Sequence, residues 1–198
     1  MKNALKAAES RVDRSKTSVL TEAYRQLAIN GLGGFSVDEV SRASGVSKTT
    51  IYRHWESRAA LIIDACLRLG ETGDIPDMGS IRTELDVLMA GFVQQLESTT
   101  WSTVYPSIID AAERDKEMAV MQRQLHEKFM TPVTTIVERA KTRGELPVDA
   151  STADIAATLI GPLFYRRWFS KEAIPYAFMC AVVEGALLMA RKGPVEIT

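Results

Sequence analysis

The sequence predicts an all-α protein with a small N-terminal domain and a larger C-terminal one. Apolar residues recur at three- and four-residue spacing almost throughout, and no stretch alternates apolar and polar residues long enough for a strand. The stretch Gly70 to Gly79, with Gly73, Pro76 and three acids, is the one convincing break, so a boundary is expected between residues 1–70 and 71–198. With 198 residues, 46% of them hydrophobic and 25% charged, the chain has the balance of a soluble globular protein.

The first clear helix starts near Ser15, where Leu20, Ala23, Tyr24, Leu27 and Ala28 form one apolar stripe, and Gly31 stops it as a left-handed cap. Ser36 and Glu39 form a capping box that opens a short helix burying Val37 and Val40, and Gly45 ends it. Ser47 caps a second short helix through His54. Ser57 caps a longer one striped by Leu61, Ile62, Ala65, Cys66 and Leu69. Beyond the break, Ile81, Leu85, Leu88, Met89, Phe92 and Leu96 mark one helix, and a shorter one runs from about Pro106 to Asp115. A long helix follows, striped by Met118, Met121, Leu125, Val133, Ile136 and Ala140. Pro132 kinks it or divides it in two, and Gly144 and Pro147 end it. Two unusually apolar helices close the chain, roughly Ser151 to Phe169 and Pro175 to Lys192.

Several function classes are disfavoured at once. The opening MKNALKAAESRVDRSK has no apolar segment of a leader, so a cytoplasmic protein is expected. Ile174 to Ala190 is nearly uncharged over 17 residues, but that is short for a span, and Glu184 and Gly185 interrupt it; no membrane partner is expected. Cys66 and Cys180 lie far apart in apolar helical patterns and read as buried free thiols. His54 and His126 lack ligand spacing, so no metal and no cofactor is expected. There is no nucleophile and base arrangement and no glycine-rich phosphate loop, so the chain does not read as an enzyme. Charge is uneven: residues 1–70 hold 11 Lys and Arg against 7 Asp and Glu, and the remainder 13 against 18. A basic head on an acidic body suits a chain whose first part meets phosphate.

From Phe35 the chain reads FSVDEVSRASGVSKTTIYRHWESRAALI. Two short helices joined at a tight turn need a residue tolerating positive φ, Gly45, and an apolar residue to pin them, Val46. On the second helix Ile51 and Trp55, four apart, face the core, which leaves Lys48, Thr49, Thr50, Tyr52, Arg53 and His54 pointing outward. Ser36, Val40, Ala43, Gly45, Val46, Ser47, Thr50, Tyr52, His54, Trp55, Arg58 and Leu61 occupy the places of a pattern that resembles the TetR family of bacterial transcriptional repressors. Arg14 and the Leu20, Ala23, Leu27 stripe match that family's first helix; the likeness covers about the first 70 residues well and the rest by helical layout. Two departures stand out: a long arm of both signs before Ser15, and Ser41 to Ser44 reading SRAS where an apolar residue followed by alanine is commoner.

The resemblance implies an N-terminal three-helix DNA-binding domain, with a helix-turn-helix at about 36–55, and a C-terminal helical ligand-binding and dimerisation domain. Its partners would be double-stranded operator DNA, a second copy in a homodimer, and a small-molecule effector of unknown identity. Lys48, Thr49, Thr50 and Arg53 are the candidates for base edges, the two cations being suited to guanine or to phosphate. Ser36, Tyr52, His54, Arg58, Arg14 and Thr17, with Lys16 beside them, are expected on phosphates. Tyr52 could instead cover the small core, and His54 cap its own helix. Effector contacts are expected from Trp101, Tyr105, Met121, Phe129, Phe164 and Trp168, for which core packing is the alternative. The dimer is expected to form through Ile155, Leu159, Leu163, Phe178, Val182 and Ala186.

Overall fold

A computed structural model of the chain describes residues 2–69 and 75–192. The described residues form nine α-helices and no strand: α1 (Lys2–Asn30), α2 (Val37–Ser44), α3 (Lys48–His54), α4 (Arg58–Leu69), α5 (Ile81–Glu97), α6 (Thr99–Arg114), α7 (Lys116–Thr142), α8 (Thr152–Phe164) and α9 (Tyr176–Lys192). None of the described helices is long and apolar enough to cross a membrane.

The caps read from sequence are largely those the structure uses. Ser36 Oγ accepts from the Glu39 N–H at 3.4 Å and Ser47 Oγ from the Thr50 N–H at 3.3 Å, while Ser57 Oγ accepts from the Ala60 N–H at 3.0 Å. Gly31, Gly45 and Gly144 all take left-handed backbone at helix ends. At α5 Ser80 makes no side-chain cap bond, and the Ile81 N–H donates instead to Glu145 Oε2 at 2.9 Å, a residue 64 positions away.

Four helices differ from expectation in extent. No proline or glycine interrupts the chain from Lys2 to Asn30, and α1 accordingly begins at Lys2 and not near Ser15. Helix α6 runs through Pro106 from Thr99, because Trp101, Val104, Tyr105 and Ile108 form a continuous buried stripe across it. That stripe outweighs the one backbone hydrogen bond the proline removes. Helix α7 likewise continues through Pro132. The penultimate helix ends at Phe164 and passes into a π-helical turn, Tyr165–Ser170, closed by Lys171 at φ 57°. In that turn Arg166 lies 3.7 Å from the centroid of Phe178, and Arg167 Nε donates to the Leu96 carbonyl at 2.8 Å.

Residue contacts divide the chain into two compact units, Met1–Glu71 with Thr99–Lys128 and Thr72–Ser98 with Phe129–Thr198. This differs from a division at 70/71 alone, since α6 and the first half of α7 group with the N-terminal helices. In the first unit α1 packs against α2, α4 and α6. The side chains buried there include Leu20, Ala23 and Leu27 of α1, Val40 of α2, Ile51 of α3, and Leu61, Ile62 and Cys66 of α4. In the second unit α9 packs on α5 and α8.

The second unit has a polar joint at the start of α5. Glu84 is fully buried, and its Oε1 accepts from the Met78 and Gly79 N–H groups, each at 3.0 Å. Arg143 reaches Glu84 at 3.3 Å and Glu145 at 2.5 Å, while Arg139 donates to the Pro76 carbonyl at 3.0 Å. The chain just before α5 is thereby tied to the end of α7. Burial pushes the Glu145 carboxyl up, but the Ile81 N–H and the Arg143 guanidinium hold it below the usual carboxylate range.

Candidate nucleic-acid interface

Helices α2 and α3 form a helix-turn-helix whose turn is fixed by Gly45 at φ 69° and by serine hydroxyls. Ser41 Oγ donates to the Val46 carbonyl at 2.7 Å, Ser44 Oγ accepts from the Val46 N–H at 3.3 Å, and Ser18 Oγ of α1 donates to the Ser44 carbonyl at 3.3 Å. The SRAS segment that departs from the commoner apolar pattern thus laces the turn with polar bonds, while Val37 and Val40 supply the buried contacts. Ile51 and Trp55 are buried as the spacing predicts, and the Trp55 indole donates to Asp64 Oδ2 of α4 at 2.8 Å, which anchors the end of α3.

With its inner face anchored, α3 presents Lys48, Thr49, Tyr52 and Arg53 to solvent, Tyr52 at 47% exposure despite its ring. Thr50 is half-buried, and its hydroxyl lies 2.9 Å from that of Ser47 within the cap. The Lys48 ammonium pairs with the Asp38 carboxylate of α2, which raises its pKa. Ser36 is half-buried and its hydroxyl oxygen holds the start of α2.

At the other end of α3 a cationic group converges from two helices. The His54 imidazole is half-buried, edge-on to Trp55 at 5.8 Å. Its pKa is lowered first by burial and then by the nearby charges of Lys16 on α1 and Arg53. Arg14 and Thr17 are exposed on the same stretch of α1, with the Thr17 hydroxyl donating to the Asp13 carbonyl at 2.8 Å. Most of the expected phosphate and base contacts therefore gather on the outer side of α3 and the adjoining part of α1.

Arg58 is the exception. Its Nη2 donates to the carbonyls of Leu32 at 2.5 Å and Phe35 at 3.4 Å, and its guanidinium lies over the Phe35 ring at 5.3 Å. Burial lowers its pKa. An arginine in the motif reads from sequence as a phosphate ligand; here two loop carbonyls have claimed it.

The expected dimer contacts also require correction. Ile155, Leu159, Leu163 and Ala186 are fully buried within the single chain, and Val182 nearly so, while Phe178 is half-buried under Arg166. A helix apolar on most sides buries its bulkier face in its own subunit, and these residues form that face. The sides left exposed carry Ala153, Ala157 and Gly161 on α8, and Ala177, Ala181, Gly185 and Leu188 on α9.

The six expected effector contacts fall in different units. Trp101, Tyr105 and Met121 belong to the first, where all three are buried and the two rings stack at 5.1 Å. Phe129, Phe164 and Trp168 belong to the second and are half-buried, with Phe164 edge-on to Trp168 at 4.6 Å and tilted against Phe92 at 5.9 Å. Cys66 is buried, its thiol pushed up to about 12 by burial, and Cys180 is half-buried. Among the described residues no group of His, Cys, Asp and Glu could hold a metal ion.

Three long-range partners of this framework carried no signal in the sequence: Asp38 for Lys48, Asp64 for Trp55, and Leu32 with Phe35 for Arg58. Each is an ordinary residue until the fold brings it to its partner.

The same framework recurs in known proteins. Residues 19–65 match the family model described as bacterial regulatory proteins, tetR family, and residues 75–186 match the one described as tetracyclin repressor-like, C-terminal domain. A DNA-binding transcriptional repressor TetR of Mycobacteroides abscessus is 32% identical over 184 residues, covering 91% of this chain and 95% of the relative. The uncharacterized HTH-type transcriptional regulator YdeS of Bacillus subtilis is 25% identical, with 91% and 92% covered. A solved TetR family transcription regulator superposes with a TM-score of 0.73 at 27% identity, over 87% of this chain and 96% of that one. With α3 exposed beside a cationic stretch of α1, and with both halves of the chain matched, this protein belongs to the TetR family of transcriptional regulators.

Proposed function

We propose that the protein is a cytoplasmic homodimeric repressor that binds operator DNA through α3 and is released from it by a small-molecule effector. The observation that carries the DNA reading is the outward row of Lys48, Thr49, Tyr52 and Arg53 on a short helix pinned from behind by Ile51 and Trp55. Such a helix enters the major groove and reads base edges, while Lys16, Arg14 and His54 hold phosphates and fix the register. No enzymatic activity is proposed.

Two copies are needed because one seven-residue reading helix offers few contacts, and two-fold symmetry joins two weak half-sites into one tight site. We place the interface on the exposed faces of α8 and α9, where Ala157, Gly161, Ala181 and Gly185 allow close helix approach around Leu188. Effector contacts are assigned to the half-buried Phe129, Phe164 and Trp168, whose rings can accommodate an apolar molecule. Release follows if the effector binds better to the form whose reading helices are wrongly spaced for the operator.

The test is binding to duplexes from the region upstream of the protein's own gene, with Arg53→Ala as the control. Loss of sequence preference makes Arg53 a base reader. A uniform loss, with a log–log salt slope shallower by about 0.9 per site, makes it a phosphate ligand. Full retention of both affinity and preference would refute the assignment of α3 as the reading helix.

A further inference from the structure

We propose that Asp38 is a specificity-determining residue of the reading surface: by holding the Lys48 ammonium it withholds that cation from the phosphates of unrelated DNA and leaves it available to a guanine edge. The proposal rests on the DNA-binding role of α3 and adds to it a residue of α2.

Lys48 is the first residue of α3 and Asp38 lies in the first turn of α2, so their ion pair crosses the helix-turn-helix. The other acid of that turn, Glu39, pairs with Arg42 on its own helix. Of the two acids opening α2, Asp38 is therefore the one turned toward the reading helix. Both partners are open to water, with side chains 56% and 68% exposed, so the paired ammonium stays accessible to a ligand. Tyr52, one turn further along α3, flanks the ammonium on its own helix.

Non-specific affinity comes from cations that neutralise phosphates and release counterions, each adding about 0.9 to the log–log salt slope. A lysine already neutralised by a carboxylate adds little to this. Moving it onto a phosphate would leave Asp38 unpaired beside a polyanion. Guanine O6 and N7 are uncharged acceptors, and an ammonium has three donors, so Lys48 can contact that edge without leaving Asp38. The pair thus penalises the backbone contact and spares the base contact.

The experiment measures fluorescence anisotropy with two probes across a salt series: a random-sequence 30-bp duplex and the duplex most enriched from a random pool by the unmodified protein. Asp38→Asn should raise affinity for the random duplex about fivefold per reading helix at 0.15 M salt and steepen its slope by about 0.9. The gain on the enriched duplex should be smaller, so their ratio falls, and Asp38→Glu should restore it. In a Lys48→Ala background the same Asp38→Asn change should alter neither slope nor ratio. Equal gains on both duplexes, an unchanged slope, or the same gain without Lys48 would overturn the proposal while leaving the DNA-binding role intact. If the unmodified protein binds no duplex at all, the role of α3 falls and this proposal with it.

Discussion

Arg58 of α4 donates to the Leu32 carbonyl at 2.5 Å and covers the Phe35 ring, tying the loop after α1 to the helix that follows the reading helix. Removing it leaves two loop carbonyls without their charged donor. Arg58→Ala is expected to destabilise the protein by about 2 kcal/mol in urea unfolding. The salt slope of DNA binding should stay unchanged, since no phosphate contact is lost. A shallower slope at unchanged stability would return Arg58 to the interface.

The joint at Glu84 predicts an asymmetry between its partners. Arg143→Ala takes the guanidinium from a fully buried carboxylate that the Met78 and Gly79 N–H groups also hold, and should cost about 2–4 kcal/mol. Arg143→Ala combined with Glu84→Gln should cost less than the sum of the single changes, because the amide needs no counter-charge. Additive losses in a denaturant double-mutant cycle would show that the two residues do not act as a pair.

Glu145 sets an acid limb of stability. Its folded pKa lies below the unfolded value of 4.5, so the unfolded chain binds more protons as pH falls. Its contribution is complete above that value and is lost as pH drops through the folded one. Glu145→Gln should flatten the dependence of urea midpoint on pH below 4.5 while leaving its slope near neutrality unchanged. An unaltered acid limb would contradict the assigned shift.

Two positions with left-handed backbone predict opposite signs. Gly144 at φ 75° ends α7, and Gly144→Ala should cost about 1 kcal/mol even though nothing lies within 4 Å of an added Cβ. Lys171 takes φ 57° without being glycine, so Lys171→Gly should stabilise by about 0.5 kcal/mol. Thermal melts of both variants decide this; a Lys171→Gly change that lowers the melting temperature contradicts it.

For the dimer, Gly185 is exposed on α9 and nothing lies within 4 Å of a Cβ added there. Gly185→Arg should therefore keep the fold and yield a monomer by sedimentation velocity at micromolar concentration. A persisting dimer would move the interface away from this face.

Much of the reading domain was legible because its signals are local. Ser36, Gly45, Ser47 and Gly31 act within four residues of the backbone they cap, and Ile51 with Trp55 declares an inner face by spacing alone. Pro106 misled for the complementary reason: a proline's cost is local, while the burial of Trp101 and Ile108 that outweighs it depends on the rest of the fold.

By itself the sequence determined the helical class, the helix-turn-helix between Ser36 and Trp55, and the outward placement of Lys48, Thr49, Tyr52 and Arg53, though not the half-burial of Thr50 and His54, since periodicity and capping are encoded over a few positions. The tertiary structure decided which side of α8 and α9 is covered by the chain's own core. It also decided that Arg58 belongs to the scaffold and that Lys48 comes paired with Asp38. Those outcomes depend on which distant groups meet, and a donor's partner is fixed only when packing brings an acceptor within about 3 Å of it.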